Sequence, residues 1–157
     1  MSKAPRTVAE WHRKMAADEF NYVWRLLDKK RRTREHEDDM VHASHASRFH
    51  WSHVGGPKEL AIGEWQISRV YAVLARAEPA LHHARRCLEI CEEDGVRDFP
   101  LAYAHEALAR AYAVAGDARA REKHIRLARE AGAKIAEDDD REQFFKDIRR
   151  VPRARRG

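Results

Sequence analysis

Four histidines crowd into HASHASRFHWSH (42–53), in a chain of 157 residues that holds ten. If this stretch is helical, 100° per residue places Asp38, His42, His45, Phe49 and His53 within a sector of about 80° on one face. Asp38, His42 and His45 stand at i, i+4 and i+7, and imidazole and carboxylate donors on one face suit zinc, iron, manganese or nickel. His82, His83 or His105, further along the chain, could complete such a site across a helical bundle. The candidate metal set is therefore Asp38, His42, His45 and His53, with His50 further round. Phe49 and Ala46 share the stripe, so the same residues also describe a core face with hydrogen-bonded imidazoles. No H-E-x-x-H, paired E-x-x-H or Cys-rich spacing accompanies them. A metal site is accordingly the alternative reading, and no cofactor is expected.

Cys87 and Cys91 are the only cysteines. Four apart on one helical face, they stand near the long limit of disulfide geometry and are expected as buried, reduced thiols in a cytoplasmic protein. His83, one turn before Cys87, makes a nucleophilic thiol conceivable, but small buried cysteines are usually packing residues. Nothing in the sequence requires an enzyme.

The chain is basic overall, with a net charge of +5. Residues 1–34 hold 10 Lys/Arg against 4 Asp/Glu, and RRVPRARRG (149–157) holds five arginines and no acid. Residues 35–148 are acidic, with 16 basic against 22 acidic side chains. Nucleic-acid binding through KKRRTR (29–34) and the C-terminal arginines, with Trp11, Trp24 and Trp51 stacking on bases, is a second alternative. It ranks below the others because the tryptophans fall among apolar residues at helical spacing and no nucleic-acid fingerprint is present.

The elements that must position these residues are helices. Thr7 opens a first pattern that closes in DKKRRTRE (28–35), and a second begins near Glu37 and runs to Gly55-Gly56-Pro57. A third covers about 58–75. Glu78-Pro79 opens a fourth, running to Gly95. Asp98 is an N-cap type for a fifth with Pro100 in its first turn, and Gly116-Asp117 separates it from a sixth that ends near Gly132. The acids of EDDD (137–140) suit the start of a short last helix. Pro152 and the arginines beyond it are expected to fray. No apolar run approaches the roughly 18 residues of a membrane span, and MSKAPRTVAEWHRK lacks the apolar stretch of a secretory signal.

VYAVLAR (70–76) overlays AYAVAGD (111–117) at an offset of 41 residues, placing Tyr71 on Tyr112, Ala72 on Ala113 and Ala75 on Gly116. In LARAYAVAGDARAREKHIRLAREA (108–131), Leu108, Ala109, Tyr112, Gly116 and Ala128 occupy large, small, aromatic, turn and small positions. This resembles the tetratricopeptide repeat, whose unit is 34 residues. The longer period places its extra residues in EEDGVRDFPL, and the family's second-helix alanine is Ala80 in the first unit but Arg121 in the second. Residues 43–148 are also similar to a group of short bacterial proteins with no assigned activity.

The resemblance implies an all-α, tetratricopeptide-like α-α superhelix of about three helical hairpins plus a short C-terminal capping helix. Residues 1–150 form one helical domain: an N-terminal hairpin (1–56), two tetratricopeptide-like hairpins (57–133) and a capping helix (134–150), with a basic tail at 151–157. It further implies a non-catalytic protein–protein interaction module whose first helices line a groove. The groove positions are Ile62, Trp65, Arg69 and Val73, then Tyr103, Glu106, Arg110 and Val114. The partner-binding set is Trp65, Arg69, Tyr103 and Arg110. Two stacked guanidiniums would fork onto the carboxylates of an acidic segment or a free C-terminus. The same arginines could instead pair internally with Glu64, Glu106 or Glu89. A homodimer through this surface is a variant, since helical arrays need capping.

Overall fold

The computed structural model describes residues 2–156; Met1 and Gly157, at the ends of the expected domain and tail, lie outside them. Among the described residues there are seven helices and no strands: α1 (Val8–Leu27), α2 (Arg34–Val54), α3 (Pro57–Val73), α4 (Ala77–Glu93), α5 (Phe99–Ala115), α6 (Ala118–Gly132) and α7 (Asp138–Arg149). None is long and apolar enough to cross a membrane.

Local chemistry explains the boundaries. Thr7 and Glu10 form a reciprocal capping box at the start of α1. Thr33 does the same for α2 with His36 in the acid's place, the Thr33 N–H donating to His36 Nδ1 at 3.2 Å. That cap starts α2 three residues before the expected Glu37. Asp98 behaves differently from its type. It takes a left-handed φ of 65°, makes no side-chain cap to α5, and accepts a hydrogen bond from the Ala136 N–H at 2.9 Å, tying the α4–α5 connection to the chain before α7.

Each hairpin, α1/α2, α3/α4 and α5/α6, packs along its length, and each second helix packs on the first helix of the next pair. α1, α3, α5 and α7 touch one another in order, while the backbones of α2, α4 and α6 keep apart, with side chains such as His45 and His83 reaching between α2 and α4. Short turns reverse the chain at every step, so the odd-numbered helices run parallel and share one layer. Alanines at 102, 104, 107, 109, 111 and 113 are buried along α5 and let its neighbours approach closely. Serines fill other tight places by donating to carbonyls across helices, Ser47 to Ala16 at 2.7 Å and Ser68 to Ala80 at 2.8 Å.

The 41-residue offset is visible in the backbone. Ala75 N–H donates to the Ala72 carbonyl and Arg76 N–H to that of Tyr71; one offset later, Gly116 N–H donates to Ala113 and Asp117 N–H to Tyr112. Both turn residues are left-handed, Ala75 at φ 63° and Gly116 at φ 80°. Two differently composed sequences therefore make the same hairpin turn, the first with an alanine held where glycine is favoured.

α7 closes the array by burying Phe144 and Ile148 against α5 and α6. The fit leaves no room at Gly132, where a Cβ would fall on the edge of the fully buried Phe144 ring. Gly132→Ala is expected to cost about 1–3 kcal/mol by overpacking, read as a lower urea midpoint at unchanged slope. A midpoint equal to that of the parent would show that α7 is not packed this closely.

The C-terminal segment does not fray. Val151 is buried in the α7 cluster, Arg121 donates to the carbonyls of Val151 and Pro152 at 2.9 and 2.6 Å, and the Arg155 N–H donates to the Ala113 carbonyl at 2.9 Å. One apolar residue and a clamp on its carbonyls hold the segment against the α5–α6 turn.

Candidate functional site

The four residues of the expected partner set come together, around a carboxylate. Glu106 on α5 is fully buried. It accepts from Arg69 of α3 at 3.1 Å, from the Trp65 indole N–H at 3.3 Å, and from Arg110 one turn along its own helix. Arg110 also donates to the Asp147 carbonyl at 3.3 Å, and the Tyr103 hydroxyl donates to the Asp147 carboxylate at 2.6 Å. Burial and the Asp147 contact raise the Tyr103 phenol well above its ordinary range, so it stays a donor. Burial lowers Arg69 and the nearby Glu106 carboxylate opposes that. The Arg69 guanidinium also lies 5.9 Å from the ring centres of both Trp24 and Trp65.

The arginines thus face inward. Their side chains are 16% and 13% exposed, and their forks are directed at Glu106 and α7 rather than at open groove. Of the internal partners weighed from sequence, Glu106 is the one engaged. Glu64 instead takes Arg48 at 3.1 Å and His83 at 2.6 Å, and Glu89 pairs with Arg86.

Beside this network lies a recess of about 210 Å³ between α3, α5 and α7, lined by Ile62, Trp65, Phe99, Pro100 and Tyr103, floored by Ala61 and Cys87, and bordered by Asp140 and Gln143. Ile62 also borders a second recess of about 160 Å³ that Ala17, Phe20 and Asn21 of α1 share with Trp51 and Glu59. The layer of odd-numbered helices therefore carries two adjoining apolar hollows. Trp65 and Tyr103 rings, with centres 5.0 Å apart, form a wall of the larger one, and Phe144 packs edge-on behind Tyr103. Sequence reasoning found Ile62, Trp65 and Tyr103 through the repeat register. It missed Phe99, Pro100, Asp140 and Gln143, which belong to the first turn of α5 and to α7, outside the register.

The histidine face of α2 disperses. Asp38 and His42 are exposed. His45 shares a hydrogen bond of 2.9 Å with the Tyr71 hydroxyl, and His53 stacks on His12 of α1 with ring centres 4.1 Å apart. The four candidate ligands do not converge, and no group of three or more His, Cys, Asp or Glu side chains able to hold a metal ion occurs among the described residues. The imidazoles instead meet one another between helices: His12 with His50 at 2.9 Å between Nδ1 atoms, His105 with His124 at 3.2 Å, and His45 with His83 at ring centres 5.3 Å apart. Such Nδ1 contacts require one neutral ring to accept.

Cys87 and Cys91 are free and buried. Their mutual hydrogen bond and burial raise the Cys87 thiol well above its usual value, and His83 is engaged with Glu64, so no thiolate is generated at the recess floor. Of the tryptophans, Trp24 packs between Phe20 and Trp65, Trp51 lies half-buried under Arg13, and Trp11 is 45% exposed beneath Arg6. The chain matches no protein-family model, and comparison with curated proteins and with solved structures yields no match.

Proposed function

We propose that the chain is a non-catalytic, tetratricopeptide-like scaffold that binds a partner segment on the layer of odd-numbered helices. The observation that carries this reading is the 210 Å³ apolar recess at the wall of Trp65 and Tyr103. The equivalent turns 41 residues apart, and the ordering in which α1, α3, α5 and α7 pack one on the next, support the repeat architecture. An apolar hollow with polar groups confined to its border suits one large apolar anchor. Asp140 at the border and its exposed neighbour Asp139 favour a basic residue beside that anchor. The partner is then an apolar-basic segment rather than the acidic one that outward arginines would select. Glu106 acts from beneath, accepting from the Trp65 indole, while Asp147, whose carbonyl Arg110 also takes, holds the Tyr103 hydroxyl on the wall.

A random-peptide library displayed on phage tests the reading directly. Peptides enriched on the protein should share one large apolar residue beside Lys or Arg. Their affinity should fall at least tenfold in Ile62→Glu, which places a charge between the two hollows, with the circular dichroism spectrum unchanged. Enriched peptides that bind the variant as tightly as the parent would remove the recess as the binding site.

A further inference from the structure

Basic residues that the chain scatters over both termini meet at one end of the helix array. Because α1, α3, α5 and α7 run parallel, the three hairpin turns and the carboxyl end of α7 lie at the same end. That end carries Lys29, Lys30, Arg31, Arg32 and Arg34 in the first turn, Arg76 in the second, and Arg149, Arg150, Arg153, Arg155 and Arg156 after α7 begins to end. The opposite end holds Glu92, Glu93 and Asp94 together with the aspartates 138–140. The molecule is electrically polar along its helices.

Two further groups of cations lie close to the α5–α6 turn, one on the outer face of α6 and one on the C-terminal segment that docks beside Gly116. Arg119, Lys123 and Arg126 are exposed at i, i+4 and i+7, one face of α6, and line a single shallow cleft. The acids in that cleft are engaged: Glu122 pairs with Arg121, and Asp117 accepts from the Ala120 N–H at 2.9 Å. Among the described residues, none of Arg119, Lys123, Arg126, Arg153, Arg155 or Arg156 pairs with a carboxylate. The segment that brings the last three is docked, through buried Val151, the Arg121 clamp and the Arg155-to-Ala113 hydrogen bond. Much of the conformational entropy that a loose arginine tail would lose on binding is therefore already lost in folding.

We propose that the outer stripe of α6, with the arginines of the segment docked at the adjoining α5–α6 turn, binds the phosphodiester backbone of nucleic acid without reading its sequence. Guanidinium and ammonium groups held in a row hydrogen-bond phosphate oxygens and release condensed counterions. No aromatic side chain lines the cleft, so there is no platform for stacked bases. No large apolar side chain lines it either, and an anionic bilayer is bound most firmly by a face that can insert one. The run at 29–34, two hairpins away at the same end, adds longer-range attraction. The proposal is independent of the recess.

Fluorescence anisotropy of a labelled 20-base-pair duplex, titrated with the full chain, tests it. Affinity is expected in the range of about 1–100 µM near physiological salt. Three phosphate contacts on the α6 stripe alone predict weakening of roughly fortyfold when salt is raised fourfold, and contacts from the C-terminal arginines steepen it. Arg119→Glu with Lys123→Glu and Arg126→Glu should lose at least tenfold, as should Arg153→Glu with Arg155→Glu and Arg156→Glu. Lys29→Glu with Lys30→Glu should lose less. The glutamine versions of the same sets serve if a reversed-charge set loses helicity. Salt-independent binding, undiminished affinity in both the α6 set and the C-terminal set, or binding to phosphatidylserine vesicles without binding to the duplex would each overturn the proposal.

Discussion

Glu106→Ala is expected to destabilise the protein by about 3–5 kcal/mol, the cost of removing one partner from a buried ionic network. The carboxylate is fully buried and holds Arg69, Arg110 and the Trp65 indole. Its loss strands two guanidiniums whose side chains are only 16% and 13% exposed. Arg69 already has its Nε buried without a partner, so it has little remaining hydrogen bonding to fall back on. Glu106→Gln, of nearly the same shape and still able to accept, should lose less. Replacing the ionic cluster together, Glu106→Leu with Arg69→Met and Arg110→Leu, should recover much of the loss, because the penalty belongs to unpaired charge rather than to missing volume. Urea unfolding of the three proteins separates these cases. A loss below about 1 kcal/mol in Glu106→Ala would mean that solvent reaches the arginines and that the network does not brace the wall of the recess.

Much of this architecture could be read from the chain. Thr7, Gly116-Asp117 and the acids before α7 mark helix ends because each acts through nearby backbone groups, and the repeat register put Trp65, Arg69, Tyr103 and Arg110 on one layer. Which way those side chains turn was not legible. That depends on Asp147, 37 residues beyond Arg110, folding back with α7 to take the Tyr103 hydroxyl. The C-terminal arginines look like a solvated tail for the same reason: one valine between arginine and proline carries almost no periodic signal, and Arg121, which clamps its carbonyl, lies 30 positions earlier. On α2, helical spacing placed His45 and His53 on one face correctly. It could not show that His53 meets His12 of α1 while His45 meets Tyr71 of α3. Local signals end where the neighbours are supplied by tertiary packing.

Those imidazole contacts make the protein acid-sensitive. Burial lowers His124 to about 4, with His105 and Lys123 adding to the shift. His105 is lowered chiefly by burial, with Lys123 adding and Glu130 opposing. His45 is lowered by burial and His83, against Glu64, and His12 by burial, His53 and His50. The unfolded chain protonates these rings near pH 6.5, whereas the folded chain resists until lower pH. The unfolded state therefore holds more protons in that window, so stability is full above about pH 6.5 and declines as the pH falls towards 4. His124 alone contributes on the order of 2 kcal/mol after allowance for its partial exposure. Glu19, raised chiefly by burial, acts in the opposite direction. Burial works against ionised Glu64, but His83 and Arg48 hold its carboxyl below the usual range, so its contribution is lost at lower pH still. Urea unfolding at pH 7.5, 6.5, 5.5 and 4.5 should show the midpoint falling through the histidine range. His124→Phe, which can keep the stack on Tyr112 without titrating, should flatten that fall. Equal stability of the parent at pH 7.5 and 4.5 would show that the paired imidazoles accept protons in place. An unflattened fall in His124→Phe would move the effect to His12, His45 and His105, whose rings burial also holds below their ordinary value.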